Sequence, residues 1–319
     1  MKLFKPSPVE TVRYKNLSFY LKRDDLIHPD FSGNKARKLH YFLEHDFPYI
    51  KRVISYGSMQ SNAMYSLSVL AKMKGWKFEY YARINEQLLQ NPKGNLKAAL
   101  KNGMKIKDIG NWEFSIVLAS LWGCQASHSN GNFGLLSECV KLDNVLVVPE
   151  GVRCKEAEEG IQLLAQEIVE WTKKENIKNL NIFLPSGTGT TALFLQKNLS
   201  RFPIPNSQFQ VFTVPCVGDK EYLKKQFFVL EADEKFHPII LEPPKKYHFG
   251  KLYKELFAIW QELKEQTGVE FDLLYDPIAF KTIISNSRFP IPFLYIHQGG
   301  LKGNETMIER YKKKFDTIK

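Results

Sequence analysis

Short runs rich in β-branched and aromatic residues alternate with longer segments of helical period along most of this chain, a pattern that restricts it to an α/β fold built around mostly parallel sheets. "RVISYG" (52–57) reads as a strand closed by a glycine turn, and "NAMYSLSVLAKMKG" as the helix that follows it. The alternation continues: "KFEYYAR" (77–83) precedes "NLKAALKNG", and "NVLVVPEG" (144–151) precedes "EAEEGIQLLAQEIVEWTKKE". "NLNIFLPSG" then leads into "TGTTALFLQKNL" and "FQVFTVPCVG", and near the end "FLYIHQGG" is a strand that stops at Gly299-Gly300. In open sheets of this kind ligands collect outside the carboxyl ends of the strands, so chemistry is expected in the turns that close these runs.

The 319 residues suffice to bury a core and suggest two domains, or one large domain with an inserted lobe. A formal charge of +11 raises the question of a polyanionic partner. The basic residues are scattered, however, and the densest run, "RYKKK" (310–314), falls in the last expected helix as a solvated end. With no nucleic-acid recognition motif present, nucleic-acid binding is not expected. The four cysteines, Cys124, Cys139, Cys154 and Cys216, are too few and too widely spaced for a disulfide scaffold, and without CxxC spacing no metal site is expected. The start "MKLFKPSPVE" lacks the apolar core of a signal peptide, and no apolar run approaches the ~20 residues of a membrane span. A cytoplasmic, reduced protein without membrane contact is the expectation.

Two strand-to-helix turns have the composition of anion sites. In "PSGTGTTAL" (185–193), Ser186, Gly187, Thr188, Gly189, Thr190 and Thr191 lie where backbone amides and hydroxyls can converge on a helix amino terminus, a place for a phosphate monoester. The lysine of a nucleotide-binding P-loop is absent, which argues against a nucleoside triphosphate. An ordinary helix start with Ser and Thr serving as caps is the alternative. In "GSMQSNAM" (57–64), Ser61 and Asn62 either cap the helix or offer donors to a substrate carboxylate. A third segment, "FSGNKARKL" (31–39), places Lys35 directly after a glycine and an asparagine.

Taken together, "YLKRDDLIHPDFSGNKARKL", "GSMQSNAM", "LPSGTGTTA" and "YIHQGG" resemble the pyridoxal-phosphate enzymes grouped as 1-aminocyclopropane-1-carboxylate deaminase and D-cysteine desulfhydrase. The similarity runs over nearly the whole chain in the same order. It implies the tryptophan-synthase-β-like architecture, fold type II: two three-layer α/β domains with mostly parallel twisted sheets. Residues 1–38 and 153–319 would form the larger domain, residues 39–152 the smaller inserted one, with pyridoxal 5'-phosphate between them. By the same resemblance, Lys35 binds the cofactor covalently and moves the substrate's proton, and Lys38 lies near the phosphate. Asn62 stands beside the cofactor's phenolic oxygen, and Ser61 contacts substrate or assists proton transfer, with Gln60 as a further substrate contact. Ser186 to Thr191 form the phosphate cup, and Gln298 faces the pyridine nitrogen. Burial or a nearby charge turns such a lysine into a useful nucleophile, while the cofactor acts as the electron sink. A homodimer acting on a small amino acid is implied.

The resemblance has departures. The family's Asp-Pro-Val-Tyr pattern, set on Asp276-Pro277-Ile278, puts Ala279 where the tyrosine is expected and Phe280 where a Glu or Thr follows. On that reading the active-site tyrosine is missing, and Tyr56, Tyr65 and Tyr275 are candidates to replace it. Gln298 stands where the family has a threonine, and its neutral amide would hold the ring nitrogen more weakly than a carboxylate. Ala63 and "PEGVRCKEAEEG" also differ from the family pattern. His128 and His297 are polar-loop histidines able to move protons near neutral pH, or else structural. A weaker electron sink suits loss of a good leaving group, so the expected reaction is α,β-elimination of D-cysteine to pyruvate, ammonia and sulfide. 1-Aminocyclopropane-1-carboxylate deamination is the alternative, and a cofactor-binding relative with little or no turnover a third.

Overall fold

The computed structural model describes residues 5–31, 33–109, 138–202, 208–286 and 289–315. Two sheets organise them. The first contains β1 (Val9–Tyr14), β2 (Leu17–Lys22), β8 (Asn179–Ser186), β9 (Gln208–Pro215), β10 (Ile239–Ile240) and β11 (Phe293–Ile296), in the order β1-β2-β11-β8-β9-β10. β1 and β2 pair antiparallel, and the remaining described neighbours are parallel. The second sheet contains β3 (Arg52–Tyr56), β4 (Lys77–Ala82), β5 (Lys105–Asp108), β6 (Val140–Leu142) and β7 (Val145–Val147), in the order β5-β4-β3-β7-β6. Here β6 and β7 pair antiparallel and the other described neighbours parallel. Parallel strands need helical crossovers that cover both faces, which is why β8 and β11 are almost entirely buried along their length. This is the fold type II α/β architecture.

One apolar core lies under helices 34–44, 62–74 and 94–101 against the five-stranded sheet, around Leu39, Phe42, Val53, Leu67 and Leu146. Two more sandwich the six-stranded sheet: Ile161, Leu164, Ile182 and Leu193 on one face, and Phe19, Phe271, Phe280 and Tyr295 on the other. Helix 34–44, whose first turn carries Lys35, is also fixed by charge. Arg37 pairs with Asp24 Oδ1 at 2.8 Å and Glu167 Oε1 at 2.5 Å, and Lys22 reaches Glu167 Oε2 at 2.6 Å. Asp24 is fully buried and Arg37 nearly so, so the charged residues of "LKRDDL" and "NKARK" are in part a buried ion network joining β2, helix 34–44 and helix 157–174. The Cys139 and Cys154 sulfurs, 15 residues apart, lie 3.3 Å from each other as free thiols beside Glu156, a proximity that their spacing did not signal. Among the described residues no helix is long and apolar enough to cross a membrane. Cys124 and His128 lie outside the described residues.

Candidate active site

The turns after β2, β3, β7, β8 and β11 all open on one cavity of about 540 Å³. It lies at the carboxyl ends of these strands, where parallel sheets leave backbone groups unpaired. The residues to which the resemblance gives a role all line it: Lys35, Lys38, Gln60, Ser61, Asn62, Ser186, Gly187, Thr188, Gly189, Thr190, Thr191 and Gln298.

The "GNK" and "HQGG" segments meet there. Gly33 has φ +35°, and a Cβ on it would overlap the Gln298 carbonyl, so only glycine permits this approach. Asn34 donates its backbone N–H to Gln298 O at 2.9 Å and its Nδ2 to Gln298 Oε1 at 2.6 Å. The next residue, Lys35, thereby points into the cavity, where its Nζ donates to Asn34 Oδ1 at 3.1 Å. Burial pulls the Lys35 ammonium down to about 8, with the Asp272 carboxylate opposing. Lys38 Nζ donates to Gly151 O at 3.0 Å, and burial holds its proton affinity well below the usual lysine value. Gln298 also donates Nε2 to Pro185 O at 2.7 Å. Its oxygen and one amide hydrogen are thus already engaged in bracing the "GNK" turn against β8, which is a structural duty that its reading as a free ring-nitrogen partner did not include.

The two polar turns differ in how their helices begin. Ser61 Oγ accepts from Ala63 N at 3.1 Å and Met64 N at 3.4 Å, so at this helix the capping alternative describes Ser61, which keeps its hydroxyl hydrogen. Asn62 Oδ1 accepts from Asn95 Nδ2 at 2.8 Å, which orients its amide nitrogen toward Asp272. Helix 190–199 has Gly189 as its N-cap and no side-chain cap, so the capping alternative does not hold there. Gly189 has φ +71°, and a Cβ would press into Phe227 and Leu223. Thr191 is 4% exposed, and its Oγ1 has no hydrogen-bond partner. A buried hydroxyl without a partner beside uncapped helix amides is a donor set that suits an anion. The residues present are therefore compatible with a phosphate group in this turn.

Tyr275 corrects the expectation that the tyrosine is missing. It lines the cavity, with its hydroxyl facing Gly187. Asp272-Leu273-Leu274-Tyr275 has Asp and Tyr at the same spacing as Asp-Pro-Val-Tyr, and that is the signal in the sequence that would have found both. Pro277 drew the alignment four residues too far because it sits in the first turn of helix 276–285, a position that favours proline for its own reasons. Ala279 and Phe280 are core residues; Phe280 stacks on Tyr295 at 4.5 Å between ring centroids. Tyr56 and Tyr65 are buried and do not line the cavity. His297 is fully buried, with Nε2 on Glu270 O at 2.8 Å and Nδ1 accepting from Gly299 N at 3.1 Å; burial lowers its proton affinity, and it is a structural residue.

Three acids line the cavity that were given no role in it: Glu150, Asp272 and Asp276, whose Oδ1 accepts from the Tyr295 hydroxyl at 2.6 Å and whose proton affinity burial raises. Glu150, on the turn after β7, lines the mouth, and burial raises its proton affinity with Arg153 opposing. Asp272 lies deeper, 4% exposed, and burial pushes it up to about 6 against the Leu274 and Tyr275 amides, Asn62 and Lys35. The cavity thus pairs a lysine of lowered proton affinity with a carboxylate of raised affinity. That arrangement favours proton transfer near neutral pH.

No family model matches the chain. It is 25% identical to a D-cysteine desulfhydrase of Serratia proteamaculans, over 90% of this chain and 88% of that one. Among solved structures, an ACC deaminase homologue superposes with a TM-score of 0.73 at 20% identity, covering 97% of this chain and 95% of the other. A threonine deaminase from tomato, Solanum lycopersicum, superposes with a TM-score of 0.60 at 12% identity, covering 97% of this chain and 88% of the other.

Proposed function

We propose, for a chain that belongs to the 1-aminocyclopropane-1-carboxylate deaminase and D-cysteine desulfhydrase family, that this cavity binds pyridoxal 5'-phosphate and eliminates sulfide from D-cysteine, giving pyruvate and ammonia with uptake of one water. The observation that carries the reading is the meeting of the half-buried Lys35 amine, the uncapped "SGTGTT" helix start and the "QSN" turn on one cavity. When bound, the cofactor supplies an electron sink for the pair left at the substrate's Cα. Ser186 to Thr191 hold its phosphate, with Thr191 Oγ1 and the first-turn amides of helix 190–199 as donors. The substrate carboxylate lies at the start of helix 62–74, held by the Asn62 side chain, the amides beside Ser61, and Gln60. Lys35 Nζ takes the Cα proton, a role suited to an amine that titrates near 8. Burial keeps the Tyr275 hydroxyl protonated, so it serves as an O–H donor to negative charge developing in the cavity.

Tyr275 also favours a second reading, deamination of 1-aminocyclopropane-1-carboxylate, because the missing tyrosine was the argument against it. Product analysis separates the two. The purified protein with pyridoxal phosphate is expected to release sulfide and pyruvate from D-cysteine in equal amounts. α-Ketobutyrate from the cyclopropane amino acid without sulfide from D-cysteine would establish the second reading instead.

A further inference from the structure

Asp272 is hydrogen-bonded to Leu274, Tyr275 and Asp276 at the cavity wall, and the mechanism above leaves it without a task. Its Oδ1 accepts from Leu274 N at 2.7 Å and from Tyr275 N at 2.9 Å. Its own N–H donates to Asp276 Oδ2 at 2.8 Å. On the other side the Asn62 amide nitrogen lies beside Asp272 Oδ2 and helps to hold down the proton affinity of the carboxylate. A Cβ on Gly300 would overlap Asp272 Oδ2 and crowd Asn62 Nδ2, so the glycine pair of "HQGG" leaves the space in which these two side chains meet. Its electrostatic neighbours come from several elements: Lys35 on helix 34–44, Tyr275 ahead of helix 276–285 and Asp276 in it, Tyr295 on β11, and Cys216 after β9. Lys35 is the one cation among them, and Lys38, whose own proton affinity burial lowers, is the titratable group that neighbours Lys35 in turn.

We infer that Asp272 is a positioning residue that orients Asn62 and Tyr275 toward the cavity through one carboxylate and is the counter-charge to Lys35, which lines the same cavity. The inference rests on Lys35 being the working amine proposed above. The two backbone amides fix where the Tyr275 side chain leaves the chain, and the Asn62 contact fixes which face of that amide the substrate meets. The charge counteracts the burial of the Lys35 ammonium, because an opposite charge close by stabilises the charged form while desolvation destabilises it.

The test is Asp272→Asn. It keeps an oxygen for the Leu274 and Tyr275 amides, removes the charge, and turns an NH₂ toward Asn62, so two donors face each other. The readout is the pH midpoint of Lys35 acylation by an acid anhydride in the full chain without cofactor, followed by peptide mass spectrometry. The midpoint is expected to fall by about one pH unit, the low end of what one opposite charge contributes. Substrate KM is expected to rise as well, because Asn62 is misaligned. An unchanged Lys35 midpoint in a folded variant would overturn the inference, since a merely structural Asp272 would lower thermal stability and leave the midpoint alone. Should Asp272→Asn not fold, Asp272→Ser retains an acceptor without the charge, and the same midpoint decides. Failure of the cofactor reading is seen separately, as absence of a visible absorption band when wild type is mixed with pyridoxal phosphate.

Discussion

At the scale of single residues, Lys35 and Thr191 are placed for a ligand at the expense of the empty fold. The folded Lys35 amine titrates at about 8, below its ordinary 10.5. Its contribution to stability is therefore present above 10.5 and lost as pH falls through 8. Lys35→Met is thus predicted to gain about 1 kcal/mol over wild type at pH 7, a modest figure because water reaches the amine, and to lose that advantage between pH 8 and 10.5. Urea unfolding of both proteins at pH 7 and pH 10 without cofactor checks the sign. Thr191→Val removes a buried hydroxyl that lacks a partner. It is expected to leave the cofactor-free protein equally stable or about 1 kcal/mol more stable, and to weaken pyridoxal-phosphate binding about tenfold by titration. At this scale most of the site was legible, because "GNK", "QSN" and "SGTGTT" each place a polar group at a turn after a strand. Asp272 was not, and Tyr275 stood only as one of three candidate tyrosines, because a helix-starting proline at 277 imitates the pattern that belongs four residues earlier.

At the scale of elements, the orientation of helix 34–44 depends on the Arg37 network as well as on its apolar face. Arg37 makes bidentate contacts to Asp24, which is out of contact with water, and pairs with Glu167, which is largely so. Removing one member leaves uncompensated buried charge. Arg37→Ala is predicted to cost roughly 3–5 kcal/mol in urea unfolding, and Arg37→Lys to recover little of it, because an ammonium cannot reproduce the forked geometry. The strands were readable from the alternation: β3, β4, β8 and β11 fall within the runs expected of them, and β9 begins one residue before its run. Which charges were structural was not readable. Asp24 and Arg37 are 13 residues apart in the chain, and only the packing of β2 against helix 34–44 brings them together.

At the scale of the whole molecule, loops from both sheets close one cavity, so a ligand held there ties the five-stranded and six-stranded sheets together. A ligand that binds only the folded protein stabilises it by mass action. At a hundred times its Kd, pyridoxal phosphate is predicted to add about 2.7 kcal/mol to unfolding stability in urea, with no gain from pyridoxal lacking the phosphate at the same concentration. The meeting of the two sheets was foreshadowed by the order of the motifs, since each lies at a strand's carboxyl end. The distances between them are set by glycines such as Gly33, whose close approach to Gln298 no local pattern announces. Lys35 as the cofactor-binding amine is tested by borohydride reduction of the protein after addition of pyridoxal phosphate, with the modified peptide located by mass spectrometry. One pyridoxyl group per chain is expected, on Lys35 and absent from Lys35→Ala. Modification of Lys38 in its place, or no stable adduct at all, would contradict that role.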